Sequence, residues 1–212
     1  MSTGSAHEAG WATHAQSRTW RDPLDPDKEK LAVRTLRLLG KPESIRLLDF
    51  GCGTGAMTRF FAERGYRVEG LDISPSIIEQ NREQSPGIKF HLVEPERPTQ
   101  LPAGAFDAVF CSEVIEHVYD VTTVFEEFSR ILRPGGLLII TTPYHARIKN
   151  VVTALVAFEK HFDPTWQHIR FWTKRSLTAV ATRHGLIPIR WHGIGRFWPL
   201  HKSFFVVLRK AT

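Results

Sequence analysis

An apolar stretch that runs into a glycine-rich turn and then a helical pattern constrains this chain more than any other feature: Leu47-Leu48-Asp49-Phe50-Gly51-Cys52-Gly53-Thr54-Gly55. Three alternate glycines exceed what a tight turn needs. They let a backbone come close to a ligand, as a Rossmann-like sheet does at its first strand. The alternation continues beyond the turn. Periodicity predicts strands over 45–50, 67–71, 88–93, 106–111 and 137–141. Between them it predicts helices over 56–64, 75–84 and 113–118, and one capped by Asp120 whose Val124, Phe125, Phe128, Ile131 and Leu132 share a face. Arg133-Pro134-Gly135-Gly136 is expected as a turn into the fifth strand. An earlier helix starts at Asp25-Pro26-Asp27, with Asp25 as its cap, and stops at Gly40. Strands alternating with short helices imply an α/β fold with a parallel sheet covered on both faces.

The tail breaks the rhythm. A helix over 173–184 is followed by strands near 187–191 and 204–208 with no crossover helix between them, so this pair is expected to be antiparallel. The 212 residues fit one domain. Residues 1 to 24, polar with Trp11 and Trp20, read as a flexible N-terminal arm. No apolar run is long enough for a spanning helix, and no apolar secretory core opens the chain. Two cysteines in apolar segments do not form a secreted disulfide framework, so a cytoplasmic address is expected. The formal net charge of +6 leaves nucleic acid, anionic membrane and acidic small molecules open. Its lysines and arginines occur singly, however, and the acids gather where chemistry is expected.

Two ligand classes compete for the glycine turn. Gly51-x-Gly53-x-x-Ala56, with Asp72 ending the second strand, satisfies a dinucleotide fingerprint. Asp49 argues against it, because its carboxylate leads into the loop where a pyrophosphate would sit. A donor with a sulfonium and an ammonium at one end and a ribosyl adenine at the other suits Asp49 and Asp72 together. Asp49 to Gly55, Asp72, Phe106-Asp107 and Leu132 to Gly136 resemble, in order and spacing, the motifs of class I S-adenosylmethionine-dependent methyltransferases. The resemblance covers about residues 28 to 142 well and the tail loosely. It implies a seven-stranded, mostly parallel sheet with the last strand antiparallel. It also implies that residues 25–212 form one methyltransferase domain, with an acceptor-binding insertion at about 143–172. Gly51, Gly53 and Gly55 would line the methionine half, Asp72 would accept the ribose hydroxyls, and Ile73 would flank the adenine. Cys52 and Cys111 are counted with the same cleft. Where such enzymes often carry an Asp near the adenine amino group, this chain has Glu94 followed by Pro95.

Beyond the fourth strand lies Cys111-Ser112-Glu113-Val114-Ile115-Glu116-His117. On a helix, Glu113, Glu116 and His117 share one face. Such a trio is a metal half-site, a general base with its orienting acids, or a solvated face. The pattern is similar to that of ubiquinone-pathway O-methyltransferases and of small-RNA 2′-O-methyltransferases, in which a further His completes a magnesium-type site. The counterpart here is His168, ahead of His161 and His145. The expected catalytic residues are His117, Glu116 and His168. The expected metal set is Glu113, Glu116, His117 and His168, holding Mg2+.

Val151, Val152, Ala154, Leu155, Val156 and Phe158 form a broad apolar surface. It is read as an extra core helix, as a lid over a greasy acceptor, or as a peripheral membrane contact through 147–160. Phe162, Trp166, Phe171 and Trp172 supply aromatic walls, and Trp191, Arg196, Phe197, Trp198 and His201 form a second cluster. The leading reading is methyl transfer from S-adenosylmethionine to a hydroxyl of a small phenolic, quinol or lipid-like molecule. An RNA 2′-hydroxyl methyltransferase and a non-catalytic donor-binding protein are the alternatives. No DNA partner is expected, RNA stays open, and the chain is expected to be a monomer or homodimer.

Overall fold

The computed structural model describes residue 22, residues 24–161 and residues 168–212. The expected arm, apart from Asp22 and Leu24, and the aromatics Phe162 and Trp166 therefore lie outside the described residues. Seven strands form one sheet: β1 (Arg46–Phe50), β2 (Arg67–Asp72), β3 (Lys89–Leu92), β4 (Phe106–Ser112), β5 (Leu132–Pro143), β6 (Leu186–Ile194) and β7 (Ser203–Lys210). Their spatial order is β3-β2-β1-β4-β5-β7-β6. The first five pair in parallel, and β7 runs antiparallel to both neighbours. The mostly parallel sheet with an antiparallel end is the fold expected from the sequence.

Alternation along the strands explains the two-sided core. Leu48, Val109, Leu138, Ile140 and Val206 face one cluster with Phe125, Phe128 and Leu177. Their neighbours Leu47, Phe110, Leu137, Ile139 and Val207 face the other with Leu36, Phe60 and Phe61. The first cluster is covered by α4 (Val121–Ile131) and α7 (Lys174–Arg183), the second by α1 (Asp25–Leu36) and α2 (Ala56–Glu63). Between β2 and β3 runs α3 (Pro75–Gln84), and after β5 come α5 (Arg147–Val156) and α6 (Phe158–His161). Asp120 caps α4 as expected, accepting from the Thr123 N–H at 3.1 Å. Thr173 caps α7 in a reciprocal box with Ser176.

Four local expectations are corrected. Asp25 is not the cap of α1 but its first residue; the Asp22 carboxylate accepts the Leu24 N–H at 2.9 Å instead. The segment after β4 is no helix but a sequence of turns, because Glu113 adopts a left-handed φ of 53° that no α-helix contains. Arg133 to Gly136 are not a turn outside the sheet. They bulge within β5, where the register jumps between Phe106 and Ala108 of β4. A Cβ on Gly136 would lie 2.9 Å from the Arg133 carbonyl, so only glycine allows this approach. Lastly, α5 is not a core helix, since none of its residues is buried.

The strand order puts β2 and β4 on opposite sides of β1, so the chain leaves β1 at the point where the winding direction reverses. In open parallel sheets that switch point, at the carboxyl ends of the strands, is where ligands sit. Phe50, Asp72 and Ser112 end their strands there.

Candidate active site

The glycine turn is held open from beneath. Gly51, Gly53 and Gly55 have φ of 74°, 48° and 74°. The N–H groups of Gly51 and Cys52 both reach the Leu71 carbonyl at 2.9 Å, which ties the turn to β2. Asn81 of α3 donates to the Gly53 carbonyl at 2.8 Å from below. Among the described residues, a Cβ built on Gly53 meets nothing within 4 Å, so they leave this face of the turn open. Gly51 is different: a Cβ there would lie 2.5 Å from Cγ2 of Val114. The turn following β4 is thus packed directly on the glycine loop. Gly51→Ala should lower stability by about 2 kcal/mol, combining left-handed strain with displacement of Val114. Chemical denaturation measures it.

Asp49 and Asp72, the acids expected to face a donor, flank the glycine turn. Asp49 is buried and accepts the Thr58 hydroxyl at 2.6 Å. Burial, opposed by that hydrogen bond, pushes its carboxyl up to about 7. Asp72 accepts the N–H groups of Gly53 at 2.9 Å and Ser74 at 3.0 Å, bridging the loop and the start of α3. Burial raises its pKa as well, against the pull of those two donors. Ile73 follows it, half-buried. Glu94 is exposed and pairs with Arg97 at 3.1 Å. The side chain of Cys52 joins a small core cluster with Ile78 and Phe90, so its backbone alone faces the cleft. Cys111 is fully buried in the main core.

Past β4, a tight turn brings together part of the set expected there, without Glu113. Glu116, His117 and His168 bring their ligand atoms within 4.8 Å of one another. The rings of His117 and His168 meet edge to face, with centroids 4.8 Å apart. His168 arrives from far along the chain because the next residues dock on the turn. The N–H groups of Ile169 and Arg170 both reach the Glu116 carbonyl, at 3.0 and 3.1 Å. Arg170 holds the Val118 carbonyl at 2.7 Å, and the Trp172 indole donates to the Ile115 carbonyl at 3.1 Å. Among the described residues His145 is not in the group and packs against Phe171, while the side chain of His161 lies outside the described residues.

Glu116 is fully buried. The Thr142 hydroxyl donates to its Oε2 at 3.1 Å, while Oε1 has no donor. Burial first, and then the Glu113 charge, raise its pKa well above the usual carboxylate range. Glu113 does not join the trio. It accepts the Thr141 hydroxyl at 2.8 Å and faces the Lys28 ammonium at 3.5 Å. Lys28, Asp22, Asn81, Thr58, Thr141 and Thr142 were not foreseen from the sequence. One signal was readable: Lys28 sits on the helical stripe of Ala32, Thr35 and Leu36, where a core residue is expected.

After β5, α5 presents Val151, Leu155 and Val156 to solvent, the last two 80% and 76% exposed. Lys149 donates to the Tyr144 carbonyl at 2.7 Å and ties this helix to the end of β5. No helix among the described residues is long and apolar enough to cross a membrane.

Comparison with known proteins agrees with this geometry. Residues 24–189 match a family described as "Methyltransferase domain". A ubiquinone biosynthesis O-methyltransferase from Colwellia psychrerythraea is 30% identical over 158 residues, 71% of this chain and 64% of that protein. One from Xanthomonas axonopodis pv. citri is 31% identical over 137 residues, 60% of this chain and 57% of that protein. The chain thus matches less than two thirds of the length of either relative. An S-adenosylmethionine-dependent methyltransferase from Mesorhizobium loti has the same fold: its TM-score is 0.67 at 22% identity, covering 88% of this chain and 100% of that one. The chain belongs to the methyltransferase-domain family and has a Rossmann-like fold.

Proposed function

We propose that the chain transfers the methyl group of S-adenosylmethionine to a hydroxyl oxygen of a small phenolic, quinol or lipid-like molecule. The observation that carries this reading is the convergence of Glu116, His117 and His168 within 4.8 Å, on a turn that packs against the glycine loop. The open face at Gly53 and the acids on either side fit a cationic, ribose-bearing donor. When bound, the donor supplies an electrophilic methyl carbon on its sulfonium. Asp49, in its charged form, meets the ammonium end, and Asp72 accepts from the ribose hydroxyls. His117 takes the proton of the acceptor hydroxyl as the new O–C bond forms, with the His168 ring orienting it. Glu116, buried and held by the Thr142 hydroxyl, supports the pair from beneath. Positioning supplies most of the remaining acceleration.

Mg2+ does not fit this arrangement. That ion favours oxygen ligands in a strict octahedron. Here two of the three converging donors are imidazoles, and Glu113, the other carboxylate nearby, is engaged by Lys28 and Thr141. Turnover is therefore expected to withstand a chelator. Loss on chelation, restored by Mg2+ or Mn2+, would show that a metal performs the activation.

The exposed apolar face of α5 suits an acceptor with an aliphatic or aromatic tail, such as one held at a membrane surface. Incubation with methyl-labelled donor and parallel panels of catechols, quinols and RNA tests the reading. Label on a phenolic oxygen is the expected result. Label confined to RNA, with uptake falling steeply with salt, would transfer the assignment to a 2′-hydroxyl methyltransferase.

A further inference from the structure

The last part of the chain is one-sided in charge. From residue 164 to residue 212 the sequence contains no Asp or Glu, so its ionised side chains are all basic. This stretch supplies β6 and β7, the end of the sheet opposite β3. Between these strands and the end of α1 lies a groove of about 240 Å³, lined by Thr35, Leu38, Ile189, Arg190, Val207 and Arg209. It is separate from the donor cleft. Arg209 stands opposite Leu137 of β5 and Ile187 of β6, toward the amino ends of those two strands, whereas the cleft lies at the carboxyl ends of the parallel strands.

The backbone is shaped to line this groove. In a regular strand adjacent side chains point to opposite faces, so Ile189 and Arg190 would not share one. The β6–β7 register shifts between Pro188 and Arg190, and this bulge brings both side chains to the groove. The result is an apolar wall with two guanidiniums beside it. Leu38 and Ile189 are 57% and 44% exposed. Among the described residues, no carboxylate lies within ion-pair distance of Arg190 or Arg209. Their surroundings are correspondingly positive: burial, and then the Arg190 and Arg34 charges, lower the pKa of His192.

We propose that this groove binds a phosphate monoester carried on a short apolar chain. Such a group holds about two negative charges at neutral pH, which matches two guanidiniums where a carboxylate would offset one. A planar guanidinium also holds phosphate oxygens through paired N–H donors. The chain of the ligand covers Leu38, Ile189 and Val207, taking exposed apolar surface out of water. The volume of the groove suits a single small molecule that arrives from solution.

Calorimetry on the full chain with hexyl phosphate, hexanol and inorganic phosphate tests the site. Hexyl phosphate is expected to bind once per chain, about tenfold or more tightly than either fragment, because only it uses both the charge and the apolar wall. Arg190→Gln and Arg209→Gln should each weaken it about 5- to 10-fold, between the loss of an exposed ion pair and that of a charge-assisted hydrogen bond. Ile189→Asn should weaken hexyl phosphate and leave inorganic phosphate unchanged. The substituted side chains are exposed, so the fold should persist, which circular dichroism checks. Absence of hexyl phosphate binding overturns the proposal. So does binding that hexanol or inorganic phosphate matches, or that survives both arginine substitutions unchanged. Binding to phosphatidylcholine vesicles containing phosphatidic acid, with none to hexyl phosphate, also overturns it and makes the basic edge a lipid contact instead.

Discussion

His117→Ala is expected to lower turnover by about 10²- to 10⁴-fold, the usual contribution of a positioned proton acceptor, while S-adenosylhomocysteine affinity stays nearly intact. The separation follows from position. His117 lies on the turn past β4 with its ring against His168, whereas the donor loop is built by β1, β2 and α3. The two are joined through Val114, which His117→Ala leaves in place. Parallel turnover and calorimetric measurements decide the matter. A parallel fall in donor affinity would give His117 a structural role in the donor site, and unchanged turnover would remove it from the chemistry. His168→Ala should act in the same direction, since its ring completes the pair.

Donor binding should strengthen as pH rises from 6 to 8, and Asp49→Asn should abolish that dependence. Burial places the Asp49 carboxyl at about 7 in the folded protein. Below that pH it carries a proton and offers no charge to an ammonium, so affinity falls by up to about tenfold per pH unit. At pH 8, Asp49→Asn should weaken S-adenosylhomocysteine by about 10- to 100-fold, as expected for a lost hydrogen bond to a charged group. Stability moves the other way. A carboxyl whose folded pKa is raised contributes stability that is fully present below its ordinary value near 3.8 and is lost as pH climbs through about 7. Asp49→Asn should therefore raise the melting temperature of the donor-free protein at pH 8 while weakening its donor binding. A group kept for function at a cost in stability gives that pairing, and a merely structural carboxylate does not.

The sheet was legible because each central strand alternates between two cores. Leu47 and Leu48, or Val109 and Phe110, are adjacent in sequence and pack on opposite faces. The glycine loop was legible for a related reason, since its glycines and Asp49 and Asp72 lie at or beside strand ends fixed by that pattern. The cluster past β4 was legible in its residues but not in its geometry. Glu113, Glu116 and His117 have helical spacing, yet one left-handed φ at Glu113 turns the chain, so that Glu113 engages Lys28 and Thr141. His168 joins through backbone bonds to the Glu116 carbonyl, a long-range contact that no local pattern encodes. Lys28 was missed because a charged residue on the apolar stripe of a helix is conspicuous only once its partners, Asp22 and Glu113, are in place.

The measurement that tests the account most directly is a crystal structure with S-adenosylhomocysteine bound. The ribose hydroxyls are expected on Asp72, with the sulfur facing the group formed by Glu116, His117 and His168. A ligand whose sulfur is turned away from that group, or whose ribose lies elsewhere than on Asp72, would contradict it.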